Sequence, residues 1–77
     1  MSKLPRITSK ELLRALLRDG FEVARQKGSH VQVRKFVDGE KITFPVPVHA
    51  GKTVKIGTLK GILRKAKISE ERLIELL

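Results

Sequence analysis

The apolar residues of this 77-residue chain change their spacing at Gly20, and this change limits the available folds more than any other feature. Before Gly20, leucines recur at nearly the 3.6-residue period of a helix. After it, apolar and polar residues alternate with the period of two that marks a strand, and helical spacing returns near Thr58. A helix, a set of strands and further helices therefore follow one another, which predicts an α+β fold.

The first helix is predicted over residues 9 to 19. Thr8 and Glu11 have the spacing of a capping box, in which each side chain accepts a hydrogen bond from the backbone amide of the other residue. Gly20 can adopt the left-handed conformation that commonly ends a helix. Four leucines share one face of this helix, and we expect them in the core: Leu12, Leu13, Leu16 and Leu17.

Three strands are predicted between residues 21 and 47. The apolar residues at alternate positions are Phe21 and Val23, then Val31 and Val33, then Ile42, Phe44 and Val46. The turns at residues 27–29 and 38–39 are short and contain glycine, so neighbouring strands should be antiparallel. Pro45 and Pro47 lack amide donors, which suits an edge strand.

A second helix is predicted over residues 58 to 66, and Ser69 is a good N-cap for a short third helix. The apolar stripe of the second helix consists of Leu59, Ile62, Leu63 and Ala66. Gly61 inside this helix costs about 1 kcal/mol relative to alanine. Either another backbone approaches closely at Gly61, or the loss is simply tolerated.

These elements predict a two-layer sandwich, with the helices on one face of a three-stranded antiparallel sheet. The other sheet face carries polar residues, among them His30, Gln32 and Arg34, and should remain uncovered. A chain of this length has room for one core, so we expect residues 1–77 to form a single domain.

The chain is strongly basic, with 17 Lys and Arg against 8 Asp and Glu and a formal net charge of +9. Its cations are most concentrated between residues 50 and 67, where no acidic residue interrupts them. They are Lys52, Lys55, Lys60, Arg64, Lys65 and Lys67. Because a solvated face usually intersperses both signs of charge, this segment favours a phosphate-binding surface, and a polyanion is the predicted partner.

Several classes of site are excluded by residues that the chain lacks. Without cysteine it has no disulfide, no cysteine zinc site and no thiol nucleophile, and this composition fits a reducing cytoplasm. Two histidines and scattered carboxylates predict no metal site, and no segment approaches the roughly 20 apolar residues of a membrane span. Residues 51–53 resemble the end of a phosphate-binding P-loop, but Val46 stands where that motif requires glycine, so no nucleotide cofactor is predicted.

RNA is a polyanion that such a chain could cleave without a metal ion. The ribose 2′-hydroxyl is an internal nucleophile, so cleavage needs only a base, a proton donor and cations that stabilise charge on the phosphate. His30 follows a glycine turn on the polar sheet face, near the basic residues Lys27 and Arg34. On this chemistry alone, His30 could be either a catalytic base or an ordinary surface histidine. For His49, a phosphate contact or a turn-stabilising role is favoured over catalysis.

Three segments carry a specific combination of residues. They are RQKGSH at residues 25–30, VPVHAGK at residues 46–52 and GTL at residues 57–59. In this order within one basic chain, they resemble the HicA (YcfA-like) toxin family of type II toxin-antitoxin systems, and the resemblance spans about residues 7 to 77. Gly61 departs from the family pattern, in which a polar residue is common there, and this bears on helix stability more than on activity.

The resemblance implies a fold like that of double-stranded-RNA-binding domains, metal-independent cleavage of mRNA and inhibition by a cognate HicB-type antitoxin. It implies His30 as the catalytic residue, with Gly28 and Ser29 as the turn that presents it. No metal, no small-molecule cofactor and no membrane partner are predicted. We expect the following cations to hold the RNA backbone: Lys27, Arg34, Lys52, Lys55, Lys60 and Arg64.

Some alternatives remain open at this point. The second acid or base could be Lys27, Lys52 or His49, or one histidine could act with solvent. A non-catalytic RNA-binding module would share the helix and three strands and would bind by shape and 2′-hydroxyl contacts. A DNA-binding protein that uses the last two helices is less favoured, because the third helix is acidic and no cluster of Arg or Asn indicates base readout.

Overall fold

The fold was obtained as a computed structural model, which describes residues 4–49 and 51–77. Ala50, within the second of the three segments above, lies outside the described residues, as do residues 1–3. The elements are α1 (Ser9–Arg18), β1 (Glu22–Lys27), β2 (His30–Val37), β3 (Glu40–Pro47), α2 (Ile56–Ala66) and α3 (Glu70–Leu76). The predicted α+β order is therefore confirmed.

Helix α1 begins at the predicted capping box. The Glu11 amide donates to Thr8 Oγ1 at 3.2 Å, and the Thr8 amide donates to Glu11 Oε1 at 2.9 Å. The expectation that all four leucines belong to the core is wrong, because Leu17 is 47% exposed. The buried stripe is centred on Leu12 and Leu16, and Leu17 is turned away from Leu12 by about 140° around the helix axis.

The three strands form one antiparallel sheet in the order β1-β2-β3, as predicted. Asp38 and Gly39 connect β2 to β3 with φ angles of 50° and 81°, the left-handed values that a tight hairpin turn uses. Pro45 and Pro47 lie on β3, an edge strand, where a missing amide donor is tolerated.

Strand β1 departs from the predicted alternation. Val23 pairs with Val33, but the next pair joins Arg25 to Gln32, so Ala24 is an extra residue in a β-bulge. Val23 was expected on the apolar face, yet it is 49% exposed. Among the strands, α1 and α2 pack mainly against β3, and for this reason they leave β1 uncovered.

Helix α2 begins at Ile56, two residues before the predicted start. Its N-cap is Lys55, whose side chain makes no capping hydrogen bond, so the sequence carries no capping signal at this point. A Cβ atom added at Gly61 would meet nothing within 4 Å apart from the residue's own neighbourhood in the helix, which rules out the close backbone approach considered above. Helix α3 begins as predicted, because Ser69 Oγ accepts a hydrogen bond from the Arg72 amide at 3.0 Å.

The buried apolar residues form one cluster between the sheet and the helices, with members from α1, β2, β3, α2 and α3. The Phe21 and Phe44 rings meet edge to face, with centroids 5.4 Å apart. Asp19, at the end of α1, joins the layers through carboxylate contacts with Lys35 Nζ at 3.0 Å and Arg72 Nε at 3.5 Å. The helices thus cover one sheet face, and the predicted two-layer architecture is confirmed.

Candidate nucleic-acid interface

His30 is the first residue of the central strand, on the face that the helices leave uncovered. Its direct pairing partners are Lys27 on β1 and Pro47 on β3. The preceding turn contains Gly28 with a φ of +58°, a value that favours glycine. The Ser29 carbonyl accepts a hydrogen bond from the Val48 amide at 2.6 Å, so the turn is attached to the segment after β3. The turn therefore holds the backbone before His30 in a defined position.

Four polar side chains line one open depression around this position: Arg25, Lys27, His30 and Gln32. Directly paired residues of an antiparallel sheet share a face, so the pairs Arg25 with Gln32 and Lys27 with His30 bring the four together. Gln32 Nε2 donates to Thr43 Oγ1 at 2.8 Å, and this contact orients the amide. Arg25 and Gln32 were not among the predicted binding residues.

Arg34 lies on the same face but has an acidic partner. Its Nε donates to Glu22 Oε1 at 2.7 Å, and both side chains are partly exposed. By contrast, the side chains of Arg25 and Lys27 make no ion pair or hydrogen bond with any described residue. Two cations without an acidic partner, Arg25 and Lys27, therefore lie next to His30.

His49 lies apart from the depression that contains His30. It is exposed in the loop after β3, and its backbone amide donates to Ser9 Oγ at 3.3 Å. Its side chain lines a second depression with Lys52 and Lys55, and a third, largely apolar one beside the start of α1. The two histidines thus belong to different surface sites.

The remaining predicted cations form a further group. Lys60 and Arg64 on α2 line a depression next to the start of α3, together with Ser69 and Glu70. The carboxylate of Glu70 reduces the positive potential at this place. The six predicted RNA-binding cations therefore divide among the sheet face, the loop that carries His49, and the junction of α2 and α3.

Arg25 and Gln32 differ in whether the sequence could have placed them beside His30. Gln32 follows His30 at a spacing of two, so simple alternation already places it on the polar face of β2. Arg25 follows Phe21 and Val23 at that same spacing, which would place it on the apolar face. Only the bulge at Ala24 moves Arg25 to the side of His30.

Within residues 4–49 and 51–77, no three His, Cys, Asp or Glu side chains are grouped so as to hold a metal ion. None of the helices in the described part of the chain has the length and apolar character needed to cross a membrane.

In class, the chain is a small basic α+β protein: helices cover one face of an antiparallel sheet, and the open face carries cations around a single histidine. A family model described as HicA toxin of bacterial toxin-antitoxin matches residues 9–68, more than three quarters of the chain. The chain belongs to this HicA toxin family and is a toxin of a toxin-antitoxin system, which implies an antitoxin partner. A search of curated proteins found no match.

Proposed function

We propose that this toxin is an mRNA endoribonuclease that works without a metal ion and is neutralised by a HicB-type antitoxin. The observation that carries the proposal is the position of His30 on the central strand, opposite Lys27 and beside Arg25, on the uncovered sheet face. A histidine next to free cations on an accessible surface supplies two of the three requirements for cleavage of RNA at its own 2′-hydroxyl, a base and cations that stabilise charge on the phosphate. Membership in the HicA toxin family supports the same activity.

The proposed reaction is an internal displacement at phosphorus. His30 accepts the proton of the 2′-hydroxyl while the 2′-oxygen forms a bond to the phosphorus. The bond from phosphorus to the 5′-oxygen of the next nucleotide then breaks. A proton donor protonates that leaving oxygen. The products are a 2′,3′-cyclic phosphate and a 5′-hydroxyl, and DNA is not cleaved because it lacks the nucleophile.

The depressions that the candidate residues line favour one of them as the proton donor. Of the candidates, Lys27 lines the same depression as His30, whereas Lys52 and His49 line another one. We therefore favour Lys27 or solvent as the partner of His30. In the alternative assignment of roles, His30 protonates the leaving oxygen and a hydroxide or a neutral amine takes the 2′-proton.

The cations outside this depression are proposed to bind the RNA backbone on either side of the scissile bond. Lys52 and Lys55 would contact phosphates near His49, and Lys60 and Arg64 would do so at the junction of α2 and α3. Arg34 would contribute less because Glu22 already pairs with it. Such contacts add affinity without sequence preference.

Cleavage assays on three substrates in excess EDTA test the proposal. The toxin should cleave single-stranded RNA, leave DNA of the same sequence intact and release a 2′,3′-cyclic phosphate. Duplex RNA distinguishes the alternative function, because an RNA-binding module with this helix and sheet arrangement would bind duplex and cleave nothing. Binding without cleavage, or cleavage that requires a divalent ion, would contradict the proposed reaction.

The antitoxin is proposed to cover the open sheet face directly. Hydrogen exchange of the toxin with and without its cognate antitoxin should then show protection at residues 27–34. Protection confined to the helices α1 and α3 would contradict direct blocking and would require an indirect mechanism of inhibition.

A further inference from the structure

The bulge in β1 places an arginine next to the proposed catalytic histidine. Arg25 pairs with Gln32, and Lys27 pairs with His30, so Arg25 is the diagonal neighbour of His30 on the adjacent strand. Diagonal neighbours lie about 7–8 Å apart at their Cα atoms, within reach of a long side chain. Bulges commonly re-aim a side chain beside an active site, and here the bulge reverses the face on which Arg25 would otherwise stand.

The two arginines of this face differ in their partners. Arg34 Nε contacts Glu22 Oε1 at 2.7 Å, which offsets its charge and occupies a guanidinium nitrogen. In the described structure the guanidinium of Arg25 makes no ion pair or hydrogen bond with a side chain, and Arg25 lines the depression that contains His30. All donors of Arg25 are therefore available to an anion in that depression.

We propose that Arg25 is a second catalytic residue, which binds the non-bridging oxygens of the scissile phosphate and stabilises their charge during RNA cleavage. This inference rests on the ribonuclease activity proposed above. As the bond from the 2′-oxygen to phosphorus forms, the phosphorus becomes five-coordinate and negative charge grows on its non-bridging oxygens. The guanidinium donates hydrogen bonds to these oxygens and transfers no proton, and the charge falls again when the 5′-oxygen leaves.

An arginine suits this role better than the neighbouring lysine. A guanidinium presents parallel N–H donors in a fixed fork that matches two oxygens of one phosphate, whereas an ammonium acts as a point charge. Lys27 lies directly opposite His30 and can exchange protons with the leaving oxygen, a role closed to arginine because its side chain stays protonated. The two basic residues of β1 thus have different functions.

Single-turnover kinetics of Arg25→Gln, Arg25→Lys and the control Arg14→Gln test the inference. Arg14 is an exposed arginine of α1, so its replacement removes the same charge far from the depression. We expect Arg25→Gln to lower the maximal single-turnover rate by about 10²- to 10³-fold, as the loss of one transition-state donor does, with a small change in RNA affinity. Arg25→Lys should recover part of the rate, and Arg14→Gln should cleave like the parent.

Cleavage of RNA with a phosphorothioate at the scissile position gives a measurement that would not change if Arg25 had only a structural role. Replacing either non-bridging oxygen with sulfur gives one of two diastereomers, and each replacement weakens a guanidinium hydrogen bond and should slow cleavage by the parent. In Arg25→Gln the sulfur should slow cleavage less in both diastereomers, and the melting temperature of the variant should equal that of the parent.

The outcomes separate this inference from the activity on which it rests. If the parent is active and Arg25→Gln cleaves as fast as Arg14→Gln, or is weakened only in RNA affinity, the role of Arg25 is overturned and the ribonuclease proposal stands. A slowing by sulfur that is as large in Arg25→Gln as in the parent would overturn it equally. A parent that binds RNA but never cleaves it would overturn both.

Discussion

Replacement of His30 by alanine should separate activity from stability. His30 is an exposed residue on the polar phase of β2, while the core side of the strand is formed by Val31 and Val33, which are 5% and 0% exposed. Its imidazole makes no hydrogen bond to any described residue, and its backbone pairing with Lys27 and Pro47 does not depend on the side chain. His30→Ala therefore leaves no cavity, and we expect the free energy of unfolding to change by less than about 0.5 kcal/mol.

The effect on cleavage should be far larger. Loss of a general acid or base typically lowers a rate by about 10²- to 10⁴-fold, which corresponds to roughly 3 to 5 kcal/mol in the activation free energy. RNA affinity should fall little, because the cations that bind phosphates remain. The variant should consequently bind RNA, bind the antitoxin and lose toxicity.

The assay pairs thermal melting with single-turnover RNA cleavage in EDTA at one salt concentration. His49→Ala is the matched control, because it removes the other histidine from a different depression, and its cleavage rate should fall less. If His30→Ala cleaves within a few-fold of the parent, the catalytic assignment is wrong. If it loses activity only at temperatures where it unfolds, the loss reflects stability, and the non-catalytic RNA-binding function becomes the better explanation.

Three further predictions concern helix stability, RNA affinity and acid sensitivity. Gly61→Ala should raise the free energy of unfolding by about 0.5–1 kcal/mol in urea titrations, because an added Cβ meets open space; an unchanged or lower value would contradict this. Replacing Lys60 and Arg64 with Gln in a cleavage-deficient background should reduce the log–log salt slope of single-stranded RNA binding by about 1.4, and an equal reduction from two basic residues of α1 would indicate net charge rather than a site. The backbone amide of Thr8, and then its hydroxyl, lower the pKa of Glu11 from its ordinary value. The stabilisation is therefore complete above the pKa of Glu11 in the unfolded chain and is lost as pH falls through the lowered pKa. Glu11→Gln should therefore weaken the loss of stability seen in the parent on acidification, as measured by urea unfolding at several pH values, and an unaltered acid dependence would refute the assignment.

The sequence alone determined the elements that depend on local signals. The capping box of Thr8 and Glu11, the Asp38-Gly39 turn and the Ser69 cap each act over a few residues, and each lies where it was expected. Alternation likewise predicted the uncovered polar face, because side chains of a strand point to opposite faces in turn. The basic character of the chain and the position of His30 on that face could be read directly.

Packing between elements decided the exposure of two apolar residues. Leu17 and Val23 are both about half exposed, although their spacing matches that of core residues. The period of an apolar pattern shows which residues share a face, but the width of the covered part of that face depends on where the neighbouring elements lie. In this fold α1 and α2 pack against β3, so β1 lies beyond the helix layer.

Tertiary structure also decided which cations surround His30. Six basic residues looked equivalent in the sequence, yet folding divides them among three surface regions and pairs Arg34 with Glu22. Arg25, by contrast, joins His30 because of one extra residue in β1. A strand has a side-chain period of two, so one unpaired residue moves every later side chain to the opposite face. Whether such a residue is accommodated depends on the pairing of β1 with β2, which no pattern within a single strand contains.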